Sequence, residues 1–407
     1  MATYNQIYNL LNAITNESVG GTAITVKDTA SFISLGNVVL DSSQNIDEFY
    51  SKLPDVIGRI ITRYQAIKRR KRGIDKTPLD FGIAILEVER QTIARAKKNN
   101  SWDDQANPFA ILLKDDTDIT ASIYSVISGW EIDKITYDYQ LETAFHNEAE
   151  MASFLGLIMQ DMWDGMTKAQ NDIDALTECT AMAQSVYASV VPATPKLTAF
   201  NILSAFKVVH PDTTLTADTC IYDTAFLRFS AEFMLCRIKD AKELTNLFNV
   251  DGAEVELDDD YKFHVLGEFA SKLAVYLEAD TYHNEFVSLP GYEEITAWQG
   301  MGSVGSYAEK SSINVTHGDI TVALEGIVGH VFAPGRMFTM IDKIRTKSIY
   351  NPASELTNWY HKADIGQAIR NKDIGIVFYI ADEDWSPDES DGGGDGEAKT
   401  STRKKTA

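Results

Sequence analysis

The chain has 407 residues, 44% of them hydrophobic and 24% charged; the composition is ordinary for folded protein and the length requires two or more linked cores. Its formal charge of −22 favours solubility and opposes attraction to bulk nucleic acid. Cys179, Cys220 and Cys236 form no CxxC pair, which argues against a disulfide framework or a structural zinc site and fits a reducing, cytoplasmic setting. The opening MATYNQIYNLL lacks the charged-then-apolar order of a signal peptide. No apolar run approaches the roughly 18 residues of a membrane span, so a soluble chain is expected.

Residues 1–50 begin with a helical pattern (Tyr4, Ile7, Tyr8, Leu11) and drift into Gly, Thr and Ser, the pattern of an arm rather than a domain. Ile57, Ile60, Ile61 and Tyr64 have helical spacing and lead into the basic run Lys68 to Arg72. From Arg59 to Lys98 there are twelve basic and four acidic residues, or +8, leaving −30 on the remainder. Two β-rich stretches, 82–98 and 119–139, flank a middle marked by Asn, Asp and Pro. They predict a hairpin with arms of up to ~55 Å, long enough to leave the globule and lie on something else. Asn147 with Glu150 then resembles a helix cap. Met151, Phe154, Leu155, Ile158, Met162, Met166, Ile173 and Leu176 predict one apolar stripe on a helix over 147–187, with Gly165 placed to allow a bend or a close crossing. Residues 193–330 mix short helical and strand patterns, as in an α+β subdomain; strand formers return over 331–385, and the Gly-rich, polar 386–407 predict a disordered tail.

The search for chemistry finds little. GMGSVG at 300–305 matches the dinucleotide fingerprint literally, but β-branched, polar residues follow it and a loop is the better reading. The histidines at 146, 210, 264, 283, 317, 330 and 361 show no metal-binding spacing, LDDD at 257–260 lacks the calcium-loop pattern, and no nucleophile elbow occurs. No catalytic, cofactor or metal residue is therefore assigned. KRRKRG at 68–73 admits three readings: a nucleic-acid patch with steep salt dependence, a contact with a protein partner such as a neighbouring acidic subunit, or a solvated helix end.

The order of parts resembles the major capsid proteins of tailed bacteriophages, with the Hong Kong 97 fold. GWEIDKITYDYQLETAFHNEAEMASFLGLIMQDMWDGM is similar to that family's passage from hairpin into spine helix. RTKSIYNPASELTNWYHKADIG (345–366), continued through NKDIGIVFYIAD, resembles the peripheral-domain ending in small short-tailed podophages. The resemblance implies an α+β fold with an N-terminal arm (1–50), a basic helix and extended hairpin loop (51–140), a spine helix (141–192), an axial domain (193–330), returning peripheral strands (331–385) and the tail. Tyr350, Trp359, Tyr360 and His361 would pack those strands on the spine helix, while Arg345 and Lys347 face acidic neighbours. The implied function is an icosahedral shell subunit without enzymatic activity, in hexamers and pentamers in the virion. A scaffolding protein, a portal and non-specifically held DNA would be its partners, with assembly in the host cytoplasm and no membrane contact. The alternatives are an encapsulin-like cellular compartment, or a metal-dependent enzyme using LDDD and the HGD of 317–319.

Overall fold

The computed structural model describes residues 8–9, 11–12, 25–40, 44–47, 49–50, 72–78, 84–93, 119–125, 128–145, 148–192, 194–280, 291–317 and 320–387. The chain divides into two units, Met1–Glu178 with Pro334–Arg370, and Cys179–Ala333 with Asn371–Ala407. Helices and sheets occur in both units, so the α+β expectation holds.

The first unit opens with helix α1 (Thr29–Leu40). Asp28 caps it, its carboxylate accepting from the Ser31 amide at 2.8 Å and from the Ser31 hydroxyl at 2.7 Å. Phe32, Leu35, Gly36 and Val39 are buried and lie on one helical face. A Cβ on Gly36 would stand 2.8 Å from the Phe145 ring, so glycine is what lets helix and ring close up. Strands β1 (Asp75–Pro78), β2 (Ala84–Arg90), β3 (Ile119–Ser125) and β4 (Ser128–Tyr137) follow, then helices α2 (Asp138–Ala144) and α3 (Glu148–Val190). The 43 residues of α3 span ~65 Å at 1.5 Å per residue. Strands β11 (Met337–Asn351) and β12 (Leu356–Ile369) complete a four-stranded sheet of order β1-β11-β12-β4. Its core joins Phe32, Phe49, Tyr50, Phe145, Met151, Met162 and Trp359.

The second unit is built on a mixed five-stranded sheet. Its order is β5 (Ala199–Asn201), β13 (Gly375–Tyr379), β10 (Ile327–Phe332), β6 (Lys262–Leu266) and β7 (Glu293–Ile295). Every residue of β10 and β13 is buried, which fits their largely apolar sequences, His330 of β10 being the exception. Asn201 caps α4 (Ile202–Val209) through the Leu203 amide at 3.1 Å, and Asp223 caps α5 (Thr224–Ala241) through the Phe226 amide at 2.8 Å. Helix α6 (Gly267–Asp280), short helix α7 (Tyr307–Ser311) and hairpin β8 (Ile313–His317)–β9 (Ile320–Leu324) complete the unit.

Four expectations change. Residues 29–40, read as part of an arm with a helix only at its start, form α1 in the first unit's core. The predicted hairpin pairs over Ala84–Arg90 with Ile119–Ser125, while β4 pairs with β12 in a different sheet. Residues 331–385 divide: β11 and β12 stay in the first unit, and the fully apolar β13 enters the second unit's sheet between β5 and β10. Along α3, Met151, Met162, Met166 and Ile173 are buried as expected, but Leu176 is 46% exposed because Thr177, one turn beyond Ile173, takes the inward position. The side chains of Leu155 and Ile158, the Asn147 cap and the tail from residue 388 lie outside the described residues.

Candidate assembly surface

The β2–β3 hairpin has two unlike faces. On one, Ile85 and Tyr124 pack against Phe338, Met340 and Ala368, with the Tyr124 and Phe338 rings edge-on at 5.3 Å. Arg370 fixes this face by gripping the Glu87 carboxylate with two nitrogens, Nε at 2.8 Å, and by lying 4.4 Å from the Phe338 ring centre. The Arg370 hydrogen bonds hold the Glu87 carboxyl below its ordinary pKa. Pleating turns the alternate residues outward, and Leu86 (62%), Val88 (62%), Ile119 (63%) and Ile123 (71%) are exposed together on the other face. Four apolar side chains exposed together on one face of two paired strands make this row a candidate contact surface.

The aromatic stretch 345–366 forms the β11–β12 hairpin, turned through Pro352–Glu355, with Glu355 at φ +46°. Its inward residues do pack on α3. Trp359 is fully buried, donates through Nε1 to Thr136 Oγ1 at 2.7 Å and meets the Tyr50 ring edge-on at 5.5 Å. The His361 ring lies 5.5 Å from Trp163 on α3, and its Nδ1 is 2.7 Å from Thr346 Oγ1. Burial depresses the His361 pKa. Tyr350 donates to Asp138 Oδ2 at 2.6 Å; burial, then that bond, pushes its phenol up to about 12. Tyr360 falls on the opposite face, one residue out of phase with Trp359 and His361. Arg345 binds Asp364 of the same hairpin at 2.6 Å, so its acidic partner is internal. Gly165 brings α3 against β4, since a Cβ there would lie 3.2 Å from Ile132 Cδ1; the close-crossing reading of this glycine is the one observed.

The candidate chemical motifs resolve into structural roles. In GMGSVG and the Ser306 that follows it, the amides of Ser303, Val304 and Ser306 do converge on an anion, but it is the chain's own Glu309, at 3.2, 3.1 and 3.1 Å. Those bonds, led by Ser306 and Val304, lower the Glu309 pKa to about 2. Gly302 at φ +66° could not carry a side chain, whose Cβ would collide with the Glu309 carboxyl carbon. Asp259 of LDDD binds Lys242 at 2.5 Å. His264 and His330 are buried directly opposite each other on β6 and β10; His210 is exposed beside Phe206. His146, His283 and most of HGD lie outside the described residues, and among those described no group of three His, Cys, Asp or Glu could hold a metal. Of the basic run, Arg72 is described, and it binds the fully buried Glu178 of α3 at 3.1 Å, a structural anchor that none of the three readings supplied. The available signal was Glu178 at helical spacing from Asp174, both of them buried with Thr177 beyond the apolar stripe.

The exposed apolar row on β2 and β3 is the feature of the described surface that suits contact with another protein. The sequence matches the Phi29-like phage major capsid protein family over residues 11–378, and the chain belongs to that family. It is a bacteriophage shell subunit with a structural role, which selects the phage reading over a cellular compartment. No curated protein matches it. Similar solved structures include the capsid of Staphylococcus phage Andhra, at 9% identity and TM-score 0.47, covering 79% of this chain and 86% of that one. The capsid of cyanophage P-SCSP1u gives 10%, 0.45, 81% and 95%, and that of cyanophage Pam1 11%, 0.42, 79% and 94%. Among the described residues no helix is long and apolar enough to cross a membrane.

Proposed function

We propose that the subunit builds its icosahedral shell from hexamers and pentamers, in the host cytoplasm, around a scaffolding protein and a portal, and that it holds packaged DNA without sequence specificity or catalysis. The family match over both units carries this reading. Its parts take the following roles: residues 1–50 an N-terminal arm with α1 clamped into the first unit, 51–140 the basic helix and extended loop, 141–192 the spine helix, 193–330 with β13 the axial domain, and β11–β12 the peripheral strands, followed by the tail from 386. The exposed row on β2 and β3 supports a loop that lies on a neighbouring subunit. The acidity of the chain supports a lining that does not adhere to DNA. Expression of the full chain with and without the scaffolding gene of its phage, followed by electron microscopy, tests this reading. Closed shells with the scaffold are expected, and a monomer under both conditions would overturn it. The same preparation should show no hydrolase activity and no bound metal.

A further inference from the structure

The four-stranded sheet has two open margins. β1 pairs with β11 only opposite Phe338 to Ile341, so from Ile344 to Asn351 β11 has no strand on that side among the described residues. At the other margin, among the described residues, β4 pairs only with β12. On the face turned away from α3, three cross-strand rows run Arg345–Lys362–Glu131, Lys347–Tyr360–Asp133 and Ile349–Asn358–Ile135. The β11 margin is therefore basic and the β4 margin acidic, and both end in an exposed isoleucine, Ile349 at 59% and Ile135 at 50%. Inside the sheet Lys362 holds Glu131 at 3.0 Å and Arg345 holds Asp364 at 2.6 Å, while Lys347 and Asp133 stand exposed at opposite ends of one row.

We propose that this sheet continues from one copy of the chain into the next, with β11 of one subunit alongside β4 of its neighbour. Unpaired strand margins are templates for main-chain hydrogen bonding, and charge decides which margins can meet. Joining β11 to β11 sets Arg345 and Lys347 against themselves, and joining β4 to β4 does the same to Glu131 and Asp133; like charges directly opposite are unfavourable. The mixed joint sets Lys347 beside Asp133 and Ile349 beside Ile135. Because both strands run antiparallel to β12, they are parallel to each other, and a joint that repeats the sheet's direction is parallel. It is also head-to-tail, the kind of contact that closes into rings. The proposal rests on the chain being a shell subunit, and wild-type assembly tests that separately.

The experiment compares full-length wild type, Lys347→Glu, Asp133→Lys and the double variant for melting temperature and particle yield. Each single change is expected to lower yield severalfold at unchanged melting temperature, and the double variant to recover most of it. Independently, Ile135→Cys with Ile349→Cys in a Cys236→Ser background should give, on oxidation of assembled particles, a ladder of covalent multimers. Undiminished yield from both single variants, or particles that never cross-link, would overturn the edge joint. If a charge variant melts early, the cross-linking result alone decides. Failure of the wild type to assemble even with its scaffold would instead remove the shell reading, and this joint with it.

Discussion

At the scale of single residues, the side chains that matter most are polar atoms satisfied inside apolar surroundings. Trp359 fills the centre of the first unit's core and donates to Thr136. Trp359→Ala should cost about 3–5 kcal/mol, as large-to-small core changes do, and chemical denaturation measures it. Gly36→Ala trades a helix-propensity gain of up to ~1 kcal/mol against a Cβ set 2.8 Å from a ring that its own packing holds. The net effect should be destabilising, and pairing it with Phe145→Leu should recover part of the loss. Titration offers a separate check. Burial lowers the His361 pKa, so the folded protein binds its proton less readily than the unfolded chain; that stability is complete above pH 6.5 and drains away as pH falls towards the folded value. Glu309 has the same sign in a more acidic window, its contribution being lost between 4.5 and about 2. Melting curves from pH 8 to 3 with His361→Phe and Glu309→Gln would separate the two, the first variant flattening the slope just below neutrality and the second only at the acid end.

At the scale of elements, the long helix and the α+β character were legible, because an apolar period of 3.6 residues sustained from Met151 to Ile173 is the pattern of a helix with one buried face. The inward aromatic residues of 345–366 were legible for the same reason in period two, which Trp359 and His361 obey and Tyr360 does not. Helix α1 was hidden: TASFISLGNVVL is rich in Ser, Gly and β-branched residues of low helix propensity, and tertiary burial of Phe32, Leu35 and Val39 overrides that preference. The break between β3 and β4 was also hidden, since alternation marks a strand but not its partner. The role of Glu309 was legible but missed, since Ser306 and Glu309 have the spacing of a capping box at the start of α7. One element-scale test follows from the crossing of α3 and β4. Gly165→Ala should be close to neutral in stability, the gain in propensity offset by 3.2 Å crowding at Ile132 Cδ1, a side-chain end that can yield. Adding Ile132→Val should relieve the crowding, and a double-mutant cycle reads the coupling.

At the scale of the whole molecule, the chain is still anchored to the second unit at Asp384 and Trp385. Asp384 Oδ1 accepts from Asn201 at 2.9 Å and from Ser204 at 2.8 Å, and the Trp385 amide donates to the Tyr379 hydroxyl at 3.3 Å. Truncation after Trp385 should leave the melting temperature unchanged, whereas truncation after Ala381 strips the α4 cap of its support and should lower it measurably.

Both units also share a property of timing. Thr136 and Trp359, 223 residues apart, must meet to finish the first unit, and β13 must arrive to fill the second unit's sheet beside β10. A ribosome that stops before β12 therefore releases a chain in which neither unit is closed, with the apolar positions awaiting β12 and β13 still open to chaperones and proteases. A prematurely ended product thus differs from the finished subunit in its exposed apolar surface, not merely in its length.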